Sequence, residues 1–273
     1  MVATSTIIAI AINLLLGLVI PAVLYVVVKK KFAGERKAFF IGCAVMFGFA
    51  FVLESFVHSI VLGGSLGKAI TGNIWLYALY GGAMAALFEE TGRFVAFRFF
   101  LKNHENDGNA LLYGAGHGGF EAFYLLFFSG INNLAFALML NGGGAEALTA
   151  GLTGDALLQI EATIHQMQAL SWWVFLLSPI ERLAAIVIHL SLSVIVWFGV
   201  KERNYALVGL SMLLHFGVDF VTVVLNQMFA RFGSGGMLLT EAAVWIMAAG
   251  CAAVGMKLWK EKKSKVPEGA TPA

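Results

Sequence analysis

Acidic side chains and histidines lie inside long apolar stretches of this sequence, where ionisable residues are rare. An ionisable group at the centre of a membrane-spanning helix costs on the order of 2.5–3.5 kcal/mol, so each one suggests a function. In chain order they are Glu54, His58, Glu89, Glu90, Arg93, His117, Glu121, Glu181, Arg182, His189, His215, Asp219 and Glu241. Carboxylates and imidazoles in such surroundings can activate a water molecule, carry protons or bind a metal ion.

Polar residues of four different stretches lie at a similar depth. They are Glu89, His117, His189 and His215. Counted at about 1.5 Å per helical residue from the flanking polar residues, they lie roughly 12–20 Å deep. One polar site shared by four helices is the simplest explanation, and we predict it in the cytoplasmic half of the bilayer.

Two adjacent carboxylates, Glu89 and Glu90, are followed one turn later by Arg93. Neighbouring carboxylates in a low dielectric resist double ionisation, so Arg93 can determine which of them stays charged. Consecutive helical positions are about 100° apart, so the two carboxylates cannot face one point equally.

Three acid–histidine pairs have the spacing of one helical turn. They are Glu54 with His58, His117 with Glu121, and His215 with Asp219. Residues at this spacing share a helix face. Each pair can therefore bind a metal ion, or can neutralise itself by a hydrogen bond.

The segment Ser178-Pro179-Ile180-Glu181 has the pattern of a helix start. Ser178 is then the N-cap, Pro179 the first helical residue and Glu181 the capping-box acid. Arg182 is expected to pair with an acid such as Glu54 or Glu181.

A glycine-rich segment, residues 114–119, surrounds His117. Glycine costs a helix about 1 kcal/mol relative to alanine, so the missing side chains must serve a purpose. The purpose is either close helix packing or space beside His117 for a substrate backbone or an unwound segment.

Composition identifies the elements that must position these residues. Of 273 residues, 59% are hydrophobic and 12% charged, with a mean hydropathy of +0.83. Soluble domains carry about 25% charged residues. A soluble enzyme, a nucleic-acid-binding domain and a disordered protein are therefore excluded, and we expect a single all-α transmembrane helical domain over residues 1–263.

About seven spans are predicted. They cover about 5–28, 38–63, 74–101, 110–141, 172–200, 204–229 and 237–257, with an external loop at 142–171 that contains a short surface helix. Most lysines and arginines fall on alternate connections and in the tail, so the positive-inside rule places the amino terminus outside and the carboxyl terminus in the cytoplasm. Residues 264–273 are expected to be a disordered cytoplasmic tail.

Three motifs on separate spans resemble those of a protease superfamily. They are Glu89-Glu90-x-x-Arg93, Tyr113-x-x-x-His117 and His215-x-x-x-Asp219. This set resembles the CAAX-protease and bacteriocin-processing (CPBP) intramembrane proteases. With Gly116-His117-Gly118-Gly119-x-Glu121, Glu181-Arg182 and His189 added, the chain is similar to the YhfC family of intramembrane proteases.

The resemblance implies hydrolysis of a peptide bond in a membrane-associated peptide or protein. It implies that Glu89 or Glu90, with Arg93 and His117, activates the water, with Glu89 favoured as the base. His215 and Asp219 then bind the oxyanion, and the supporting residues are Glu121, Glu181, Arg182 and His189. His189 can also replace His215 in the site.

Two alternatives stay open. The sequence favours a metal-free glutamic mechanism without a cofactor, but His117, His189 and His215 with Glu89 also form a complete zinc site. A proton- or ion-coupled transporter can use the same residues as a relay. In every case we expect a multi-pass protein of the bacterial plasma membrane, in contact with the lipid bilayer and without a nucleic-acid partner.

Overall fold

A computed structural model describes residues 1–263, and every regular element in that range is helical. In chain order the helices are α1 (Thr4–Phe32), α2 (Arg36–Gly63), α3 (Gly67–Thr71), α4 (Ile74–Val95), α5 (Gly108–Asn141), α6 (Ala145–Thr149), α7 (Gly154–Ala169), α8 (Trp172–Lys201), α9 (Tyr205–Phe232) and α10 (Ser234–Lys262). Wider π turns occur within α2 (Met46–Glu54) and α5 (Tyr124–Phe128), and directly after α4 (Ala96–Phe100). The predicted tail, residues 264–273, lies outside the described residues.

Six of these helices are long and apolar enough to cross a membrane: α1, α2, α5, α8, α9 and α10. This confirms the all-α polytopic membrane class. The third predicted span, 74–101, is helical as α4 and its π turn, but it is not among the six. The charges of Glu89, Glu90 and Arg93 lower its hydropathy. The count of seven spans and the orientation of the termini therefore stay predictions.

The chain groups into two compact units, so the single domain expected from the sequence stays a prediction. The first unit consists of residues 1–22 and 122–182. Its core includes Ile10, Ala137, Ile164 and Met167. Because α7 buries Ile164 and Met167, the predicted surface helix of the 142–171 connection is an amphipathic helix packed onto this unit.

Helix α8 passes through Pro179 without ending, so the predicted helix start at Ser178 is wrong. Proline has no backbone N–H, so the carbonyl four residues earlier, that of Phe175, loses its helical partner. In the first unit the Asn13 side-chain amide donates to this carbonyl at 2.7 Å. This hydrogen bond satisfies the carbonyl, and a new helix start is not needed.

The second unit comprises residues 23–121 and the described residues from Leu183 onward. Phe97, in the π turn after α4, packs edge-on against Tyr113 of α5 and Trp197 of α8, with ring centroids 4.6 and 5.2 Å apart. The Trp197 indole donates to Asp107 at 2.8 Å. This aromatic cluster fixes α4, α5 and α8 next to the polar residues described below.

Helices α4 and α9 pack closely in the second unit. A side-chain carbon added at Gly82 would lie 3.0 Å from the carbonyl oxygen of Phe216. Such a close approach brings Glu90 of α4 within hydrogen-bonding distance of Ser211 and His215 of α9.

The turn before α2 is fixed to the start of α5 by Asn109. The Asn109 side chain accepts from the Glu35 backbone N–H at 2.6 Å and donates to the Glu35 carboxylate at 3.0 Å. Hydrogen bonds from Lys37 and Asn109 to the Glu35 carboxylate lower the pKa of that group. The first turn of α5, which leads to His117, is therefore anchored at this end.

Candidate functional site

Ionisable residues from α4, α5, α8 and α9 of the second unit form one buried cluster. Its centre is Glu89, whose Oε2 lies 2.9 Å from His117 Nε2 and 3.9 Å from both His189 Nδ1 and His215 Nε2. Each of these four residues is at most 7% exposed. The structure thus brings together the residues that the sequence placed at a common depth.

Glu90 has a different environment from Glu89. Its carboxylate accepts from Arg93, from Ser211 Oγ at 2.5 Å and from His215 Nδ1 at 2.8 Å. Glu90 and Arg93 are both completely buried. Because both oxygens of Glu90 accept hydrogen bonds from these donors, Glu90 holds the donor side chains in position. Glu89 instead faces the three histidines.

Sequence reasoning did not identify Ser211 as a site residue. It precedes His215 by four positions and so shares its helix face, but serines in membrane helices commonly bond to their own backbone. The only signal in the sequence was this spacing, which does not distinguish a serine that bonds to a site residue from one that bonds to its own helix backbone.

The hydrogen bonds of His189 determine which ring nitrogen carries its proton. Arg93 Nη2 lies 3.1 Å from His189 Nδ1, and a guanidinium can only donate, so Nδ1 must accept. The other nitrogen, Nε2, lies 2.9 Å from Glu121 Oε2 and donates to it. His189 is therefore neutral, and the lone pair of its Nδ1 accepts from Arg93.

His117 is held in a comparable way. Its Nδ1 lies 3.4 Å from the Tyr113 hydroxyl, while its Nε2 faces Glu89. An imidazole nitrogen and a carboxylate oxygen 2.9 Å apart can share either a proton or a metal cation.

His215 connects the buried cluster to its most accessible acid. Its Nε2 lies 3.5 Å from Asp219 Oδ2, and the Asp219 side chain is 36% exposed. Because Nδ1 faces Glu90, the other nitrogen, Nε2, is the atom at which His215 can accept or release a proton.

The cluster has the donors and spacing for a metal ion. The ligand atoms of Glu89, His117 and His189 all lie within 4.8 Å of one another. Ligands of a tetrahedral zinc ion at about 2.0–2.1 Å lie about 3.4 Å apart, which is between the 2.9 and 3.9 Å separations around Glu89 Oε2. Metal-bound histidines usually donate their second N–H to a carboxylate, as His189 does to Glu121.

The charges of the cluster also favour a cation. Glu89, Glu90, Glu121 and Asp219 supply four carboxylates, against the single guanidinium of Arg93. Buried anions without a counter-charge are costly. A divalent cation among neutral histidines would compensate most of this excess negative charge.

A second acid–histidine group lies in the same unit. His58 Nε2 is 3.2 Å from Glu54 Oε1, and His58 Nδ1 is 2.8 Å from the Tyr80 hydroxyl. Glu54 interacts electrostatically with Glu89, His215 and Asp219. The pair therefore makes the neutralising contact that its spacing allowed, next to the cluster rather than in it.

Glu181 and Arg182 belong to the first unit, where they pair with each other at 2.6 Å. Arg182 therefore contacts Glu181, one of the two acids expected for it. The capping role expected for Glu181 is wrong, because α8 is already helical before this residue.

The glycine-rich segment around His117 serves helix packing. Helix α5 is continuous there, and a side-chain carbon at Gly116 would lie 1.9 Å from the Phe39 carbonyl oxygen of α2. Carbons added at Gly114 and Gly118 would meet α8 at 2.9 and 3.2 Å. The expectation of an unwound segment, or of space for a substrate at these glycines, is wrong because two neighbouring helices fill that space.

Comparison with known proteins supports the interpretation of this cluster. The family model described as "YhfC intramembrane metalloprotease" matches residues 16–234, a range that contains the whole cluster. A curated protein of Bacillus subtilis (strain 168), "Uncharacterized membrane protein YhfC", is 34% identical over 269 residues, which are 97% of this chain and 99% of that protein. No solved structure gives a significant match.

These matches confirm the resemblance to the YhfC family, while the link to the wider CPBP superfamily stays a prediction. Together with the six apolar helices, the Bacillus relative places the chain among multi-pass integral membrane proteins of the bacterial plasma membrane.

Proposed function

The chain belongs to the YhfC intramembrane metalloprotease family, and on this premise we propose that it cleaves a peptide bond of a membrane-associated peptide or protein at a zinc site. The ligands from the chain are Glu89, His117 and His189. The observation that carries the proposal is the convergence of these three ligands within 4.8 Å in a buried cluster.

This proposal replaces the metal-free mechanism that the sequence favoured. The family description names a metalloprotease, and Nδ1 of the neutral His189 carries the lone pair that would bind zinc in place of the Arg93 N–H. A zinc ion supplies Lewis-acid polarisation of the scissile carbonyl and favours ionisation of the attacking water.

His215 is the proton carrier in this proposal. Its Nε2 accepts a proton from the attacking water as the water oxygen bonds to the carbonyl carbon. The same nitrogen then donates a proton to the leaving amide nitrogen as the carbon–nitrogen bond breaks, which balances the hydrolysis. Glu90 holds the ring through Nδ1 at 2.8 Å, so Nε2 stays directed at the site.

Arg93, Glu121 and Tyr113 act as positioning residues. Arg93 pairs with Glu90 and contacts His189, so it connects the proton-carrying side of the cluster to the ligand side. Glu121 and Tyr113 hold the outer nitrogens of His189 and His117. Asp219, the most exposed acid, is the group through which His215 exchanges protons with its surroundings.

Reconstitution of the purified chain in liposomes tests this function. With a pool of membrane-anchored peptides, we expect cleavage that stops with a zinc chelator and returns when zinc is added back. Glu202→Gln, which removes an exposed ion pair with Lys262, is the matched control and should cleave like the wild type. Chelator-resistant cleavage would contradict the zinc site, and ion transport without cleavage would indicate the transporter instead.

A further inference from the structure

An apolar cavity of about 220 Å³ lies in the second unit, separate from the polar cluster. Its walls come from α1, α5, α8 and α10 and include Phe32, Val187, Leu190, Val194, Met256 and Trp259. The hydroxyl of Ser191, which also lines it, donates to the Val187 carbonyl of its own helix at 2.7 Å. The walls therefore offer hydrocarbon contacts and leave little hydrogen-bonding capacity.

The cavity has the size and the opening for a segment of hydrocarbon chain. Apolar cavities of about 150 Å³ in soluble proteins admit a benzene molecule, so this larger one can hold several methylene groups. Gly255 forms part of the wall, because a side-chain carbon there would lie 3.0 Å from Ser191. Met256 borders the cavity and is 56% exposed, so the cavity reaches the outer surface of the unit.

Aromatic rings close one end of the cavity, next to basic residues. The Phe32 and Trp259 rings meet edge-on with centroids 5.7 Å apart, and the Lys31 ammonium lies 5.5 Å from the Phe32 centroid. Tryptophan is typical of the boundary between the hydrocarbon core and the headgroups. Val187 lies roughly 21 Å along α8 from Lys201, so the cavity extends from that boundary towards the hydrocarbon core.

The basic residues at this end are available to bind an anion. Lys31 and Lys260 are exposed, and neither makes an ion pair within residues 1–263. Lys260 follows Met256 by one helical turn and therefore projects from the side of α10 that borders the cavity. An apolar cavity with unpaired ammonium groups at its interfacial end complements a lipid with a hydrocarbon tail and an anionic headgroup.

We propose that this cavity binds one acyl chain of an anionic phospholipid, whose phosphate group is held by Lys31 and Lys260. The charge complementarity selects this occupant over a zwitterionic lipid. Each lysine near a membrane surface strengthens binding to anionic lipid by about fivefold. The proposal does not depend on proteolytic activity.

Native mass spectrometry of the purified full chain, titrated with phosphatidylglycerol or phosphatidylcholine, tests this site. We expect tighter binding of phosphatidylglycerol, and in the double variant Lys31→Gln/Lys260→Gln a loss of about 25-fold for that lipid and a smaller loss for phosphatidylcholine. Ala252→Phe, which fills the cavity, should weaken binding of both lipids. The control Lys68→Gln, in the connection that carries α3, should bind like the wild type.

Equal affinity of the wild type for the two lipids would overturn the proposal. So would unchanged binding in the double variant, or a loss of about fivefold in Lys68→Gln, which is the loss per lysine expected if surface charge alone attracts the lipid. The lysine substitutions are on exposed residues and should fold normally, so they decide the question even if Ala252→Phe misfolds.

Discussion

We expect Glu89→Gln to lower peptide hydrolysis by about 10²–10⁴-fold while the protein stays folded. Glutamine has nearly the shape of glutamate but lacks the negative charge that Oε2 presents to His117, His189 and His215. Loss of a metal ligand or of a positioned acid–base group costs about 10²–10⁴-fold in rate. The measurement is kcat/KM for a membrane-anchored peptide in liposomes, with thermal unfolding followed on the same sample.

Glu90→Gln is the matched comparison, because it makes the same replacement of a carboxylate by an amide at the neighbouring residue. Glu90 neutralises the fully buried Arg93, and breaking a buried ion pair on one side costs about 3–5 kcal/mol. We therefore expect a large fall in stability for Glu90→Gln and little for Glu89→Gln. Full activity in Glu89→Gln would contradict the central position of this residue.

Gly116→Ala is expected to destabilise the chain by about 3 kcal/mol. The new methyl group would lie 1.9 Å from the Phe39 carbonyl oxygen, which is backbone and cannot rotate away. Overpacking typically costs about 1–3 kcal/mol, and a clash with the backbone of another helix belongs at the upper end. Unfolding in mixed detergent micelles, followed by circular dichroism, measures the change.

Gly209→Ala is the control for this substitution. Gly209 is also helical, but nothing lies within 4 Å of an added side-chain carbon. Helix propensity should then stabilise it by up to about 1 kcal/mol. If the two alanine variants unfold alike, α5 and α2 do not pack through Gly116 as described.

The fold class and the residues of the cluster could be predicted from the sequence because both follow from the contrast between long apolar stretches and the few ionisable residues within them. Apolar stretches long enough to span a bilayer identify the helices, and ionisable residues within them are costly enough to suggest a shared site. The same charges lower the hydropathy of α4, which is not among the six long apolar helices. Hydropathy therefore does not identify α4 as a membrane span, although α4 contributes Glu89 to the cluster.

Other features depended on contacts between residues distant in sequence. Pro179 suggested a helix start, because the compensating donor is Asn13, more than 160 positions away. The glycines around His117 allowed either packing or an opening, and only the position of Phe39 distinguishes these.

The difference between Glu89 and Glu90 likewise required the structure. Arg93 was expected to determine which carboxylate stays charged, but the spacing did not show that it would pair with Glu90. Ser211 and His215 of α9 complete that environment. With the Glu90 oxygens occupied, Glu89 is left facing the three histidines.

The most direct test of the zinc site is the zinc content per chain of purified wild-type protein that cleaves peptide. The proposal predicts about one zinc per chain, lost in His117→Ala and His189→Ala and retained in the control Glu202→Gln. Active wild-type protein without zinc, or unchanged zinc in both histidine variants, would contradict it.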